Sequence, residues 1–206
     1  MKVLTGKSLV LISLVAASAL AGVSAFAVTA APDTATRIAP AAPGVSRKAK
    51  LDGLYARLAS ATNLAESDAL LAEIHGILMQ SGSATADLLM ARAGQAAHAG
   101  KDEVAKQIFD RIIDLDPDWA EAWNQRATFR FVQKDNNGSM SDIAHVLQLE
   151  PRHVGALTGM AYILEGRGLD KDALQVFRAI LKIDPSLVDI QKKVKKLDLK
   201  VEGRPI

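Results

Sequence analysis

The chain has 206 residues, no cysteine, only 4% aromatic side chains and an apolar share of 49% that is rich in alanine. Without cysteine there are no disulfides, thiol nucleophiles or cysteine-based metal sites, and an alanine-rich apolar content suits close-packed helices better than a broad sandwich core. Lysine and arginine total 25 against 23 acids, and without Lys2 and Lys7 the two signs balance, which excludes the cationic surplus that binding a phosphate backbone demands.

The N-terminus reads as an export signal. Lys2 and Lys7 form a short basic region, residues 8–23 form an apolar run, and Ala25-Phe26-Ala27 offers a small-x-small cleavage site. A signal peptide is expected over 1–27, cleaved after Ala27, which would place the mature chain outside the cytoplasm. The apolar run is almost long enough to span a bilayer, so the alternative is an uncleaved membrane anchor. Residues 28–48 are an Ala/Pro-rich linker with Pro32, Pro40 and Pro43, too poor in large apolar side chains to offset the entropy of ordering.

From residue 49 the apolar spacing becomes helical. Leu51, Leu54, Tyr55 and Leu58 mark one stripe, and Leu70, Leu71, Ile74, Ile77 and Leu78 a second. Residues 49–85 are thus expected to form a helical hairpin, an atypical first repeat in which Ser83 and His75 replace the proline and aromatic of later units.

A period of 34 residues then governs the chain. Pro117, Pro151 and Pro185 share one register; Ala93, Ala127 and Ala161 share another; Leu89, Trp123 and Leu157 a third. Three units follow, 86–119, 120–153 and 154–187, each a pair of antiparallel helices with turns expected at Gly100-Lys101, Asn136-Asn137-Gly138 and Gly166-Arg167-Gly168. Proline stops the second helix of each unit and begins the next. Asp118 is expected to cap the helix carrying Trp123. Residues 188–198 form a capping helix with Ile190, Val194 and Leu197 on one face and Lys192, Lys193, Lys195 and Lys196 on the other. Residues 199–206 are left as an irregular tail.

These residues resemble the tetratricopeptide repeat (TPR), whose pattern places bulky, small, small, aromatic and proline residues at fixed spacings. The first unit supplies Leu89, Ala93, Ala105, Phe109 and Pro117. The second supplies Trp123, Ala127, Ser139, Ile143 and Pro151, and the third Leu157, Ala161, Ala173, Phe177 and Pro185. The resemblance implies an all-α solenoid of antiparallel helix hairpins that binds other proteins and carries no catalysis and no cofactor. Ser81-Gly82-Ser83 to Leu89, Leu149 to Leu157, and Val201-Glu202-Gly203 resemble exported, periplasmic TPR proteins of alphaproteobacteria. That likeness implies a periplasmic scaffold or adaptor supporting cell-envelope integrity. The alternative is an inner-membrane-anchored assembly factor or chaperone for exported proteins or cytochromes.

Counting from the register alanines places a partner groove on the first helix of each unit: Asp87 and Met90, then Glu121, Asn124, Thr128 and Phe131, then Thr158, Tyr162 and Glu165. Asn124 and Thr128 can hydrogen-bond an extended peptide, with Phe131 and Tyr162 adding apolar contact. The four histidines lack a second ligand at metal-site spacing, so they are read as structural or surface residues. The partners implied are envelope proteins or peptides and no nucleic acid, with a membrane involved only if the signal stays uncleaved.

Overall fold

The computed structural model describes residues 46–201 and Gly203. The expected signal peptide over 1–27 and the linker through residue 45 lie outside the described residues. Among the described residues there are nine α-helices and no strand. They are α1 (Arg47–Leu58), α2 (Leu64–Leu78), α3 (Ala84–His98), α4 (Asp102–Leu115), α5 (Ala120–Val132), α6 (Asn136–Leu149), α7 (Val154–Gly166), α8 (Asp170–Ile183) and α9 (Val188–Val201). Helices α3–α4, α5–α6 and α7–α8 pair as hairpins, α4 meets α5, α6 meets α7, and α9 closes on α8. This is an all-α solenoid of antiparallel helix hairpins, as the resemblance implies.

Local chemistry sets the helix ends. Ser46, Asn63, Ser83 and Asp135 each accept a hydrogen bond from a backbone N–H three residues on, starting α1, α2, α3 and α6. Helix α1 therefore begins at Arg47, two residues before the expected boundary. Asp118 does not cap α5, which begins at Ala120 with no side-chain cap. The prolines sit between helices rather than at their first positions. Trp119 N–H donates to Asp116 O at 3.2 Å and His153 N–H to Glu150 O at 3.1 Å, so Pro117 and Pro151 occupy the second position of tight turns, where their fixed φ is already correct. The turn inside the second unit also differs from expectation. It falls at 133–135, because Asn136 and Gly138 already belong to α6.

The register alanines do what close packing requires. Ala93, Ala105, Ala161 and Ala173 are fully buried, and Phe109 and Phe177 fill the space beside them. Successive units are then tied by specific side chains. Phe109 meets Phe129 with ring centroids 5.6 Å apart. Arg126 of α5 donates to Asp142 on α6 through Nε and Nη2, at 3.0 and 2.8 Å, and reaches back to Asp110 on α4 at 2.7 Å. At the C-terminus, Ile190 and Leu197 bury α9 against α8. Helix α9 runs to Val201, so Leu199, Lys200 and Val201 belong to it rather than to a tail.

The N-terminal hairpin α1–α2 packs its own core, with Ile183 at its edge. It is tied to the rest through the junctions between units. Trp119 Nε1 donates to Leu78 O at 2.7 Å, Arg152 pairs with Asp52 at 2.8 Å, and Ser67 Oγ donates to Asp184 Oδ2. Helix α2 thus reaches the α8–α9 junction near its start and the α4–α5 junction at its end, while α1 reaches the α6–α7 junction through Asp52. The hairpin expected over 49–85 is present, and its contacts to the rest run along the junction edge as a strut. Its tie points are the junction residues Trp119, Arg152 and Asp184, which bond Leu78 O, Asp52 and Ser67.

Candidate functional site

Helices α5 and α7 touch directly. Beside that contact lies a cleft of about 160 Å³, lined by Asn124, Ala127, Thr128 and Phe131 of α5 and by Gly155, Thr158, Gly159 and Tyr162 of α7. Ser139 and Ile143 of α6 and Ala156 complete it. Small residues open the space: a Cβ on Gly159 would lie 3.3 Å from Ile143 Cδ1. Phe131 and Tyr162 are 45% and 41% exposed, which makes them the apolar rim of the cleft. Tyr162 also packs edge-on against Phe177, so its ring is held from behind.

Five of the nine groove residues named from the sequence meet here: Asn124, Thr128, Phe131, Thr158 and Tyr162. The other four are placed elsewhere. Met90 is 6% exposed and belongs to the core between the first two units. Asp87 faces the loop before α3, where its carboxylate accepts from Ser81 N–H at 3.0 Å and Ser81 Oγ at 2.7 Å. Glu165 is held by Lys193 of α9 at 2.7 Å. Glu121 is fully buried behind the cleft.

The burial of Glu121 is balanced by hydrogen bonds. Its Oε1 accepts from Asn124 Nδ2 at 3.0 Å and Gln125 Nε2 at 2.6 Å, and its Oε2 lies 2.9 Å from His153 Nε2. His153 Nδ1 accepts the N–H of Ala156 at 3.1 Å, capping α7, and Nε2 faces the Glu121 carboxylate as donor. Burial alone would push the Glu121 carboxyl up. The hydrogen bond and charge attraction of His153, with donation from Asn124 and Gln125, outweigh it and hold the pKa below the usual glutamate value. Sequence reasoning missed His153 as a cap, although its place two residues after Pro151 was a usable signal.

No family model matches the chain. It is 40% identical over 158 residues to a TPR repeat-containing protein of Rhizobium etli, covering 77% of this chain and 78% of that protein. Among solved structures, the first TPR of Spaghetti bound to the HSP90 peptide SRMEEVD superposes with a TM-score of 0.52 at 17% identity, over 57% of this chain and 95% of that one. The Sgt2 TPR domain of Aspergillus fumigatus gives a TM-score of 0.52 at 11% identity, over 60% and 87%. These two share the fold. The Rhizobium relative, similar over more than three quarters of both chains, joins the 34-residue register and the stacked hairpins to one conclusion: the chain belongs to the tetratricopeptide-repeat proteins.

Proposed function

We propose that this protein is a non-catalytic adaptor that binds segments of other envelope proteins in the α5–α7 cleft and works in the periplasm. The observation that carries the reading is the cleft itself, a preformed space with two exposed aromatics on its rim and polar side chains between them. Solenoids of this kind present such surfaces to partners, and one fold neighbour is described with a bound peptide. The periplasmic part of the reading rests on the basic, apolar and A-x-A pattern of residues 1–27.

A photoreactive residue at position 128, crosslinked in cells and read by mass spectrometry, tests the cleft. A discrete adduct with an envelope protein is expected. Adducts from a probe at position 193, with none from 128, would move the working surface to α9. Osmotic shock tests the compartment: release supports the periplasmic adaptor, whereas retention through a high-salt wash supports the membrane-anchored assembly factor.

A further inference from the structure

The polar groups of the cleft are oriented by bonds they already make. Asn124 must turn Nδ2 toward Glu121, because a carboxylate only accepts, so Oδ1 is the atom left for the cleft. That oxygen lies 3.8 Å from where a Cβ on Gly155 would stand, between α5 and α7. Thr128 Oγ1 donates to Asn124 O at 3.0 Å, and Thr158 Oγ1 donates to Val154 O at 2.7 Å. Both hydroxyl protons are spent within their own helices, and what remains on each oxygen is lone pairs. The donors left in the lining are the hydroxyls of Ser139 and Tyr162 and the second hydrogen on Asn124 Nδ2.

Charge points the same way. The lining contains no lysine or arginine. Lys193, 5.1 Å from the centre of the Tyr162 ring, is already neutralised by Glu165. Behind Asn124 sits the negative charge of the Glu121 carboxylate, hydrogen-bonded to His153 and two amides. In a buried setting that potential is weakly screened and is passed outward through the Asn124 amide dipole. The cleft therefore offers acceptors and negative potential beside an apolar rim.

Resting on the adaptor reading above, we propose that the cleft takes an extended protein segment carrying a lysine or arginine next to one apolar side chain. The cation meets Asn124 Oδ1 and the two threonine oxygens, and the apolar side chain lies between Phe131 and Tyr162. A space of this size is comparable to the ~150 Å³ engineered cavity that holds benzene, so a leucine- or phenylalanine-sized group fits. An acidic segment such as SRMEEVD, bound by the fold neighbour, would bring carboxylates to acceptors here. Glu121 is the positioning residue, since it fixes which end of Asn124 faces the partner.

The test uses the purified chain and a library of short, C-terminally amidated peptides with one central leucine, beside a matched library ending in a free carboxylate. Enrichment of lysine or arginine beside the leucine is expected, with affinity falling about tenfold when that cation becomes glutamate. Glu121→Gln frees Asn124 to turn, and it should erase the cation preference while neutral peptides still bind. If Glu121→Gln melts early, Asn124→Leu removes the acceptor at similar volume and carries the same expectation. Thr128→Trp fills the cleft and should abolish all binding. Enrichment of acidic or free-carboxylate peptides that Thr128→Trp still blocks would overturn the acceptor assignment and leave the groove standing. Binding indifferent to Thr128→Trp, or no enriched peptide, would overturn the groove reading too.

Discussion

The guanidinium carbon of Arg152 lies 4.3 Å from the centre of the Tyr55 ring, and Nη1 of the same side chain reaches Asp52 at 2.8 Å. Glu150 holds the other edge of the guanidinium, accepting from Nε at 2.9 Å and Nη2 at 3.1 Å. One side chain thus fastens α1 to the α6–α7 junction. Burial, reinforced by the charge of Glu150, keeps the Tyr55 phenol protonated well above its ordinary range, so the stacked pair does not change with pH near neutrality.

Replacing Arg152 with alanine should loosen the strut more than the stack. A partly exposed cation–π contact and ion pair together contribute about 1 kcal/mol. Amide exchange over 47–78 is expected to speed up while 86–187 stays protected. Unchanged exchange in the hairpin would mean that Trp119 and Ser67 hold it without Arg152.

Glu121 makes the fold acid-sensitive. Its folded pKa is depressed, so it contributes stability that is present above the ordinary glutamate value of 4.5 and is lost as pH falls through the lower, folded value. Asp110 acts in the same direction: burial would raise its pKa, but Lys106 and Arg126 outweigh burial. Urea midpoints measured from neutral to acid pH should therefore fall for wild type and fall less for Glu121→Gln. Parallel curves for the two proteins would remove Glu121 from the account.

Lys134 holds the one positive φ, 63°, found on a non-glycine among the described residues. Its 34-residue equivalents are Gly100 and Gly168, at 67° and 74°. A Cβ in that region is strained, and glycine relieves it at some entropic cost. Lys134→Gly should raise stability by about 0.5–1 kcal/mol in thermal melts. A lower melting temperature would show that the lysine side chain offsets its own strain.

The register alanines separate packing from binding. Ala161 is fully buried beside Phe177, so Ala161→Leu should overpack the third unit and cost about 1–3 kcal/mol. Ala127 is also buried but lines the cleft, which gives a leucine there somewhere to go. Ala127→Leu should cost less stability than Ala161→Leu and weaken partner crosslinking from position 128. Equal melting of the two variants would show that the cleft does not accept the added side chain.

Periodicity made most of the fold legible. Proline, alanine and bulky positions that repeat every 34 residues report contacts within a unit and between neighbours, and these recur because each unit meets the same environment. Asn124, Thr128 and Tyr162 were legible for the same reason, being set by helical phase from the register alanine. Phase alone did not separate Met90, which the core absorbs, or Glu165, which Lys193 of α9 engages.

The sequence by itself determined the three units, their hairpins and the capping helix, because those depend on spacing along one chain segment. Tertiary structure alone decided where the α1–α2 hairpin lies, since Ser67 and Asp184 are 117 residues apart and no local pattern pairs them. It also decided the chemistry of the cleft. Whether Asn124 offers a donor or an acceptor depends on Glu121 being buried and charged beside it, and that carboxylate is held in place by His153 at the start of α7.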